Sequence, residues 1–224
     1  MIRRRWLQVS LRTLLVLLTA ICIWLGWQVE RARKQREAIN AIAERGGGTS
    51  YVWEIEPKDG MGRSTKPACP LPDWIRQLFG DDLLFPVSTV WLGPNFTDDD
   101  LSIIQSFDSS RLLALNLSGS KITDSGLARL PRMARLRTMG LDNTSITDDG
   151  LRHLAKFPNL TYLQMLDVKI SDAGLLNLQS NKRLEVIMSR QSEFTRAGVA
   201  QFKESVPRCK VDVWPYVIRS MTLD

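Results

Sequence analysis

The sequence predicts an α/β fold of stacked repeats carried on a single N-terminal helix. Three observations lead there. One phrase recurs at a constant spacing of 24 residues between Leu112 and Val206. Within each copy, a stretch that alternates every second residue is followed by a helix-start signal. Ahead of the repeats, Thr13–Val29 runs for 17 residues without a charge.

In chain order, residues 1–12 form a basic tail containing Arg3, Arg4 and Arg5. Residues 13–29 are the apolar run; at 1.5 Å per residue they span roughly 25 Å, against about 30 Å for a bilayer core. Arg12 can snorkel, and Trp6 and Trp27 suit opposite interfaces as aromatic anchors. A cleaved signal peptide opens the same way. No small-x-small site follows this run, however, and its end is Trp24-Leu25-Gly26-Trp27, so it reads as an uncleaved transmembrane anchor. Arg3, Arg4, Arg5 and Arg12 are matched by Arg31, Arg33, Lys34 and Arg36 beyond it, so charge counting leaves the orientation tied. Short N-terminal tails of signal-anchors usually stay inside, which places the repeats of this single-pass chain in the periplasm or outside the cell.

Residues 30–45 are helix formers that continue the span as a charged stalk, stopped by Gly46-Gly47-Gly48. Residues 46–86 read as an N-terminal cap and loop. They hold a strand signal at Tyr51-Val52-Trp53-Glu54-Ile55, a Pro/Gly/Lys loop from Pro57 to Pro72, and a short helix from Asp73 that Gly80 ends. They would cover the open edge of the first repeat.

The repeats fill residues 87–207. One copy reads Leu112-x-x-Leu115-x-Leu117-x-x-Ser120-x-Ile122-Thr123-Asp124-x-Gly126-Leu127-x-x-Leu130. The following copies carry Leu136, Met139, Leu141, Thr144, Ile146, Thr147, Asp148 and Gly150, then Leu160, Leu163, Met165, Val168, Ile170, Ser171, Asp172 and Gly174. A worn copy from Leu184 and an atypical first copy around Val90, Leu92, Phe96, Thr97 and Asp98 flank them. Leu115 and Leu117 point to one face of a short strand. Thr123 then reads as a helix N-cap, with Asp124 in the positively polarised first turn and Ile122 and Leu127 as a hydrophobic staple. For the Gly that recurs at the third helical position, the expectation is a close approach of neighbouring backbone. Residues 208–224, with Trp214, Pro215 and Tyr216, read as a C-terminal cap.

This phrase, with its period and degenerate ends, resembles the leucine-rich-repeat family over residues 87–213. Its Thr-Asp-x-Gly-Leu segment is most similar to the helical, cysteine-containing subclass. The resemblance implies a solenoid with a curved parallel sheet on its concave side and short helices on its convex side. The layout as a whole is similar to membrane-anchored bacterial leucine-rich-repeat proteins. One departure matters. Where many members carry an inward Asn, this chain has Ser120, Thr144, Val168 and Ser192, so hydroxyls must satisfy the turns where they can.

A formal net charge of +6 invites a nucleic-acid reading until it is divided by position. Residues 1–36 carry eight Arg/Lys against Glu30, whereas residues 37–224 carry 22 against 23 Asp/Glu. The repeats therefore offer no overall footprint for phosphate, and no nucleic-acid partner is expected. Cys22 and Cys209 read as buried thiols. Cys69 and Cys209 lie at opposite ends of the stack, too far apart for a direct disulfide.

The residues show no Ser elbow, P-loop, dinucleotide fingerprint or zinc-ligand spacing, so no catalytic residue, cofactor or metal is expected. His153 lies between core Leu151 and Leu154 and should face solvent. The column Asp98, Asp124, Asp148, Asp172 reads as helix capping rather than a stacked Ca²⁺ site, which would need about six oxygens. A hydrolase would have to be sought in residues 57–86. What remains is the outward strand face. Tyr162, Leu166, Val186 and Met188 form an apolar patch there, and Trp91, Asn116, Asp142, Gln164 and Arg190 flank it, a composition suited to protein recognition. The sequence thus predicts a membrane-tethered, non-enzymatic module that binds a protein partner through Trp91, Asn116, Asp142, Tyr162, Gln164, Leu166, Met188 and Arg190. The alternative is a self-associating structural envelope protein, a homo-oligomer without a dedicated ligand.

Overall fold

Where each repeat alternates apolar and outward residues, the computed structural model has a strand; it describes residues 11–51, 69–190 and 192–213. The strands β2 (Val87–Trp91), β3 (Ala114–Asn116), β4 (Thr138–Gly140), β5 (Tyr162–Leu166), β6 (Val186–Arg190) and β7 (Lys210–Val213) lie side by side in chain order, all parallel. The pairing register follows the sequence period: Leu115 stands opposite Met139, Met139 opposite Leu163, and Leu163 opposite Ile187. All four are fully buried, as are Leu117, Ile122 and Leu127. Burying each such side chain contributes about 1.5–3 kcal/mol, and a single repeat hides only one side of its apolar set, so neighbouring repeats stabilise one another.

The return path of each repeat is a short helix: α4 (Asp124–Arg129), α5 (Asp148–Leu151), α6 (Asp172–Asn177) and α7 (Arg196–Ser205), preceded by a 3-10 helix at Asp98–Ser106. Thr123, Thr147, Ser171 and Thr195 cap them, each side chain accepting an N–H from the first turn. At the first copy, Asp100 completes a capping box with Thr97.

The Asp column, expected to cap its own helices, bonds the next repeat instead. Asp98 Oδ1 accepts the Thr123 N–H at 2.8 Å while its Oδ2 accepts the Thr123 hydroxyl at 2.5 Å. Asp124 does the same for Thr147, Asp148 for Ser171 and Asp172 for Thr195. Each carboxylate thus binds the N-cap of the next repeat, a ladder along the stack. It also corrects the reading of the recurrent Gly. A Cβ on Gly126 would lie 2.2 Å from Asp98 Oδ1, and one on Gly198 would meet three Asp172 atoms at 2.1–2.5 Å. A neighbouring carboxylate, not backbone, requires the missing side chain.

Inward of the strand ends, Ser120 Oγ donates to Leu117 O at 2.5 Å and Thr144 Oγ1 to Leu141 O at 2.6 Å. Val168 is buried, and the Ser192 hydroxyl is buried without a partner. Asn181, which the sequence reading passed over, takes a related role, its buried amide donating to Leu154 O and Phe157 O of the previous repeat.

Helix α1 is continuous from Leu11 to Glu44, about 50 Å long. Its apolar part is exposed, including Leu14–Leu18, Trp24 and Trp27. Among the described residues it is the one helix long and apolar enough to cross a membrane, a property that signal sequences share. Its later part is not a free stalk. Gln35, Ala38 and Ile42 share one face and are buried against the first repeat, because the charged segment carries its own apolar stripe. Arg31 pairs with Asp108 at 3.0 Å, Arg36 with Asp82 at 2.7 Å, and Gln35 Nε2 donates to Phe85 O at 3.1 Å. The chain leaves the helix through Gly46, φ 80°. It then forms β1 (Gly48–Tyr51), antiparallel on the free edge of β2. β1 starts three residues ahead of the predicted strand, whose Val52–Ile55 lie outside the described residues. Helix α3 (Asp81–Leu84) packs beside α1, and α2 (Asp73–Phe79) packs on α3, with Arg76 bridging to Asp81 at 2.7 Å. Residues 1–10 of the basic tail, most of the Pro57–Pro72 loop, and Trp214, Pro215 and Tyr216 also lie outside the described residues.

Candidate functional site

Register sets the outward face. Trp91, Asn116, Gly140, Gln164, Met188 and Asp212 stand opposite one another across six strands and form a single row. At about 4.8 Å per strand, Trp91 and Met188 are roughly 19 Å apart. A second row holds Thr89, Ala114, Thr138, Tyr162, Val186 and Lys210, and a third pairs Leu166 with Arg190.

These side chains are tied to each other. The Tyr162 hydroxyl lies within hydrogen-bond reach of both Met188 Sδ and Gln164 Oε1. Gln164 Nε2 donates to Asp142 Oδ2, while Asp142 Oδ1 accepts the Leu166 N–H at 2.6 Å. Asp142 N donates in turn to Ser118 Oγ at 3.1 Å, and Ser118 N to Asn116 Oδ1 at 2.8 Å. Gly140 is what lets Asn116 lie flat over the sheet: a Cβ there would meet Asn116 Oδ1 at 2.7 Å. Arg190 forks onto Asp167, its Nε 2.9 Å from Oδ1.

Burial pushes the Tyr162 phenol up, and the Asp142 carboxylate adds to the shift, so this hydroxyl stays a neutral donor. The Asp167 carboxyl is held below its ordinary value by the Arg190 hydrogen bond, against desolvation. Trp91 stands apart. Its indole lies on the backbone of Gly48, where a Cβ would approach Trp91 Cζ2 to 2.2 Å, yet it remains 43% exposed.

All eight residues singled out from sequence lie on or beside this face. Asp142, Tyr162, Gln164, Leu166 and Met188 form one network, Arg190 adjoins it through Leu166, and Asn116 joins through Ser118. Trp91 is connected to the rest by register alone. One member was missed, Asp167; Ser118 falls on the outward face that strand alternation gives it, without having been singled out. Asp167 had a visible signal: Gly119, Asn143 and Asp167 recur every 24 residues, and all adopt positive φ (74°, 50° and 58°), a conformation that favours Gly, Asn and Asp.

Elsewhere, His153 is half-buried rather than fully exposed. The Cys209 thiol is buried, and desolvation pushes it up to about 11. Cys22 is exposed on α1, not buried. Among the described residues no group of three or more His, Cys, Asp or Glu side chains converges to hold a metal ion.

No protein-family model matches the chain, and no curated protein matches it. Among solved structures it is similar to an internalin C2 from Listeria monocytogenes, at 15% identity and TM-score 0.29, over 61% of this chain and 76% of that one. It is also similar to an internalin, inlF, from the same species, at 15% identity and TM-score 0.35, over 67% of this chain and 48% of that one.

Proposed function

We propose that the chain is a leucine-rich-repeat solenoid, tethered to a membrane by α1, that works as a non-enzymatic module binding a protein partner through the outward face of its strands. The observation that carries this reading is the register row from Trp91 to Asp212, together with the hydrogen-bonded network of Asn116, Asp142, Tyr162, Gln164 and Met188 at its middle. A face held in place before contact loses little side-chain entropy on binding. Tyr162, Leu166, Val186 and Met188 supply its apolar centre, and Asn116, Asp142, Gln164, Arg190 and Trp91 its polar and aromatic surround, the arrangement of a recognition patch. The partner and the solenoid lie beyond the membrane, in the periplasm or outside the cell.

The test is photo-crosslinking in intact cells from a reactive residue at position 164. Adducts carrying a second protein, lost in the Tyr162→Ala/Met188→Ala variant while its thermal unfolding is unchanged, are the expected outcome. Adducts that survive the double substitution would sink the reading, and adducts only to a second copy of the chain would replace it with self-association.

A further inference from the structure

Six cations line one edge of the parallel sheet. Arg111, Arg135, Arg137, Lys182, Arg183 and Arg208 border a groove of about 910 Å³, with Glu185 as the one carboxylate on its wall. All six are exposed. Arg111 shares Asp108 with Arg31, and Lys182 donates to Ser205 O at 3.0 Å. Among the described residues, Arg135, Arg137, Arg183 and Arg208 have no carboxylate at ion-pair distance.

The edge is the one where strands begin: Arg137 and Glu185 immediately precede β4 and β6. The acidic column stands at helix starts, beyond the strands' other ends. The helix starts thus carry mixed charge, the Asp column beside Lys121, Lys169 and Arg196, whereas the edge where the chain returns to the sheet is predominantly basic. That is why 22 cations against 23 carboxylates in residues 37–224 conceal a basic strip.

Helix α1 says what this edge faces. It runs alongside β2 in the same direction: Gln35 reaches Phe85 O ahead of β2, and Gly47 lies on Trp91 O at its end. Followed backwards, α1 leaves the repeats at the basic edge, where Gln28 and Arg31 share a small hollow with Pro86 and Arg111. The exposed apolar run ends at Val29, two residues before Arg31.

We propose that this edge docks on the anionic lipid headgroups of the bilayer that α1 spans, fixing the orientation of the repeats on the membrane. The proposal rests on the anchor reading of α1 and adds a second contact to it. Each cation within a Debye length of an anionic surface raises the docked population by about fivefold.

The full chain, reconstituted in vesicles of purely zwitterionic lipid and in vesicles with about 30% anionic lipid, separates the possibilities by hydrogen exchange. Amides in 131–137 and 180–185 should exchange at least about fivefold more slowly in the anionic vesicles. The difference should vanish in about 0.5 M NaCl and in the Arg135→Glu/Arg137→Glu/Arg183→Glu variant. Equal exchange in both vesicles, with the chain inserted in both, overturns the docking alone. A chain that alkaline carbonate extracts from both overturns the anchor reading and the docking with it. Protection by soluble polyphosphate, but not by anionic lipid, assigns the strip to a soluble polyanion and also overturns the proposal.

Discussion

Asp172 and Thr195 are joined across two successive repeats by a two-pronged contact, the carboxylate accepting the Thr195 N–H at 2.9 Å and its hydroxyl at 2.6 Å. Gly198 sits beside it because any Cβ there would strike the same carboxylate. The two positions are therefore coupled, and the coupling has a sign that can be measured.

Asp172→Ala should cost about 1–2 kcal/mol, the pair being solvent-accessible, and lower the melting temperature by a few degrees. Gly198→Ala alone should destabilise by about 1–3 kcal/mol through the clash. In the Asp172→Ala background the carboxylate is gone, and the same Gly198→Ala change should be neutral or stabilise by up to about 1 kcal/mol through helix propensity. Thermal unfolding of the four proteins closes the cycle. Additive losses would mean that the carboxylate is not what excludes the side chain.

Equivalent positions in two repeats should respond with opposite sign. Ser120→Ala removes the hydroxyl bond to Leu117 O, which keeps only the Ser120 N–H at 3.1 Å, a loss of about 1 kcal/mol. Ser192→Ala removes a buried hydroxyl that has no partner, so stability should hold or rise by about 1 kcal/mol. Val168, which occupies the same place one repeat earlier, already makes do without a hydroxyl. Urea unfolding of the two variants checks the signs, and equal losses would contradict the assignment.

Acid should loosen the contact between α1 and the repeats. Burial acts to raise the Asp108 carboxyl, but the Ser110 hydroxyl, Arg31, the Ser110 N–H and Arg111 outweigh it and hold it below its ordinary value. A carboxyl depressed on folding contributes stability that is fully present above its unfolded value of about 3.9 and is lost as pH falls through the folded value. Melting temperature should therefore fall between about pH 5 and pH 2, and Asp108→Asn should melt lower at neutral pH and show a shallower acid slope. An unchanged slope in Asp108→Asn would place the acid sensitivity in other carboxyls, such as Asp100, which the Thr97 N–H and hydroxyl and Arg45 also hold down.

Much of the strand and helix order was legible because a period of 24 residues fixes register without tertiary information. Leu115, Met139, Leu163 and Ile187 can be aligned on paper, and the structure pairs them in that alignment. The outward row from Asn116 through Gln164 to Met188 follows, since strand alternation leaves each side chain only two faces. The contacts within that row were not legible. Asp142 lies outside its strand, and its hold on Gln164 and Leu166 depends on how the chain turns after β4.

The sequence by itself determined the repeat, its capped helices and the apolar run ahead of it, because each is a local pattern whose meaning depends on spacing alone. The tertiary structure decided three things. It placed the segment after the apolar run against the first repeat, through Gln35, Ala38 and Ile42. It turned the Asp column from capping within a helix into a ladder between repeats. It also gathered Arg111, Arg135, Arg183 and their neighbours onto the edge from which α1 departs. The physical reason is the same each time: hydrogen bonds and charges act over a few ångströms in space, and only stacking brings residues some 24 apart in the chain within that reach.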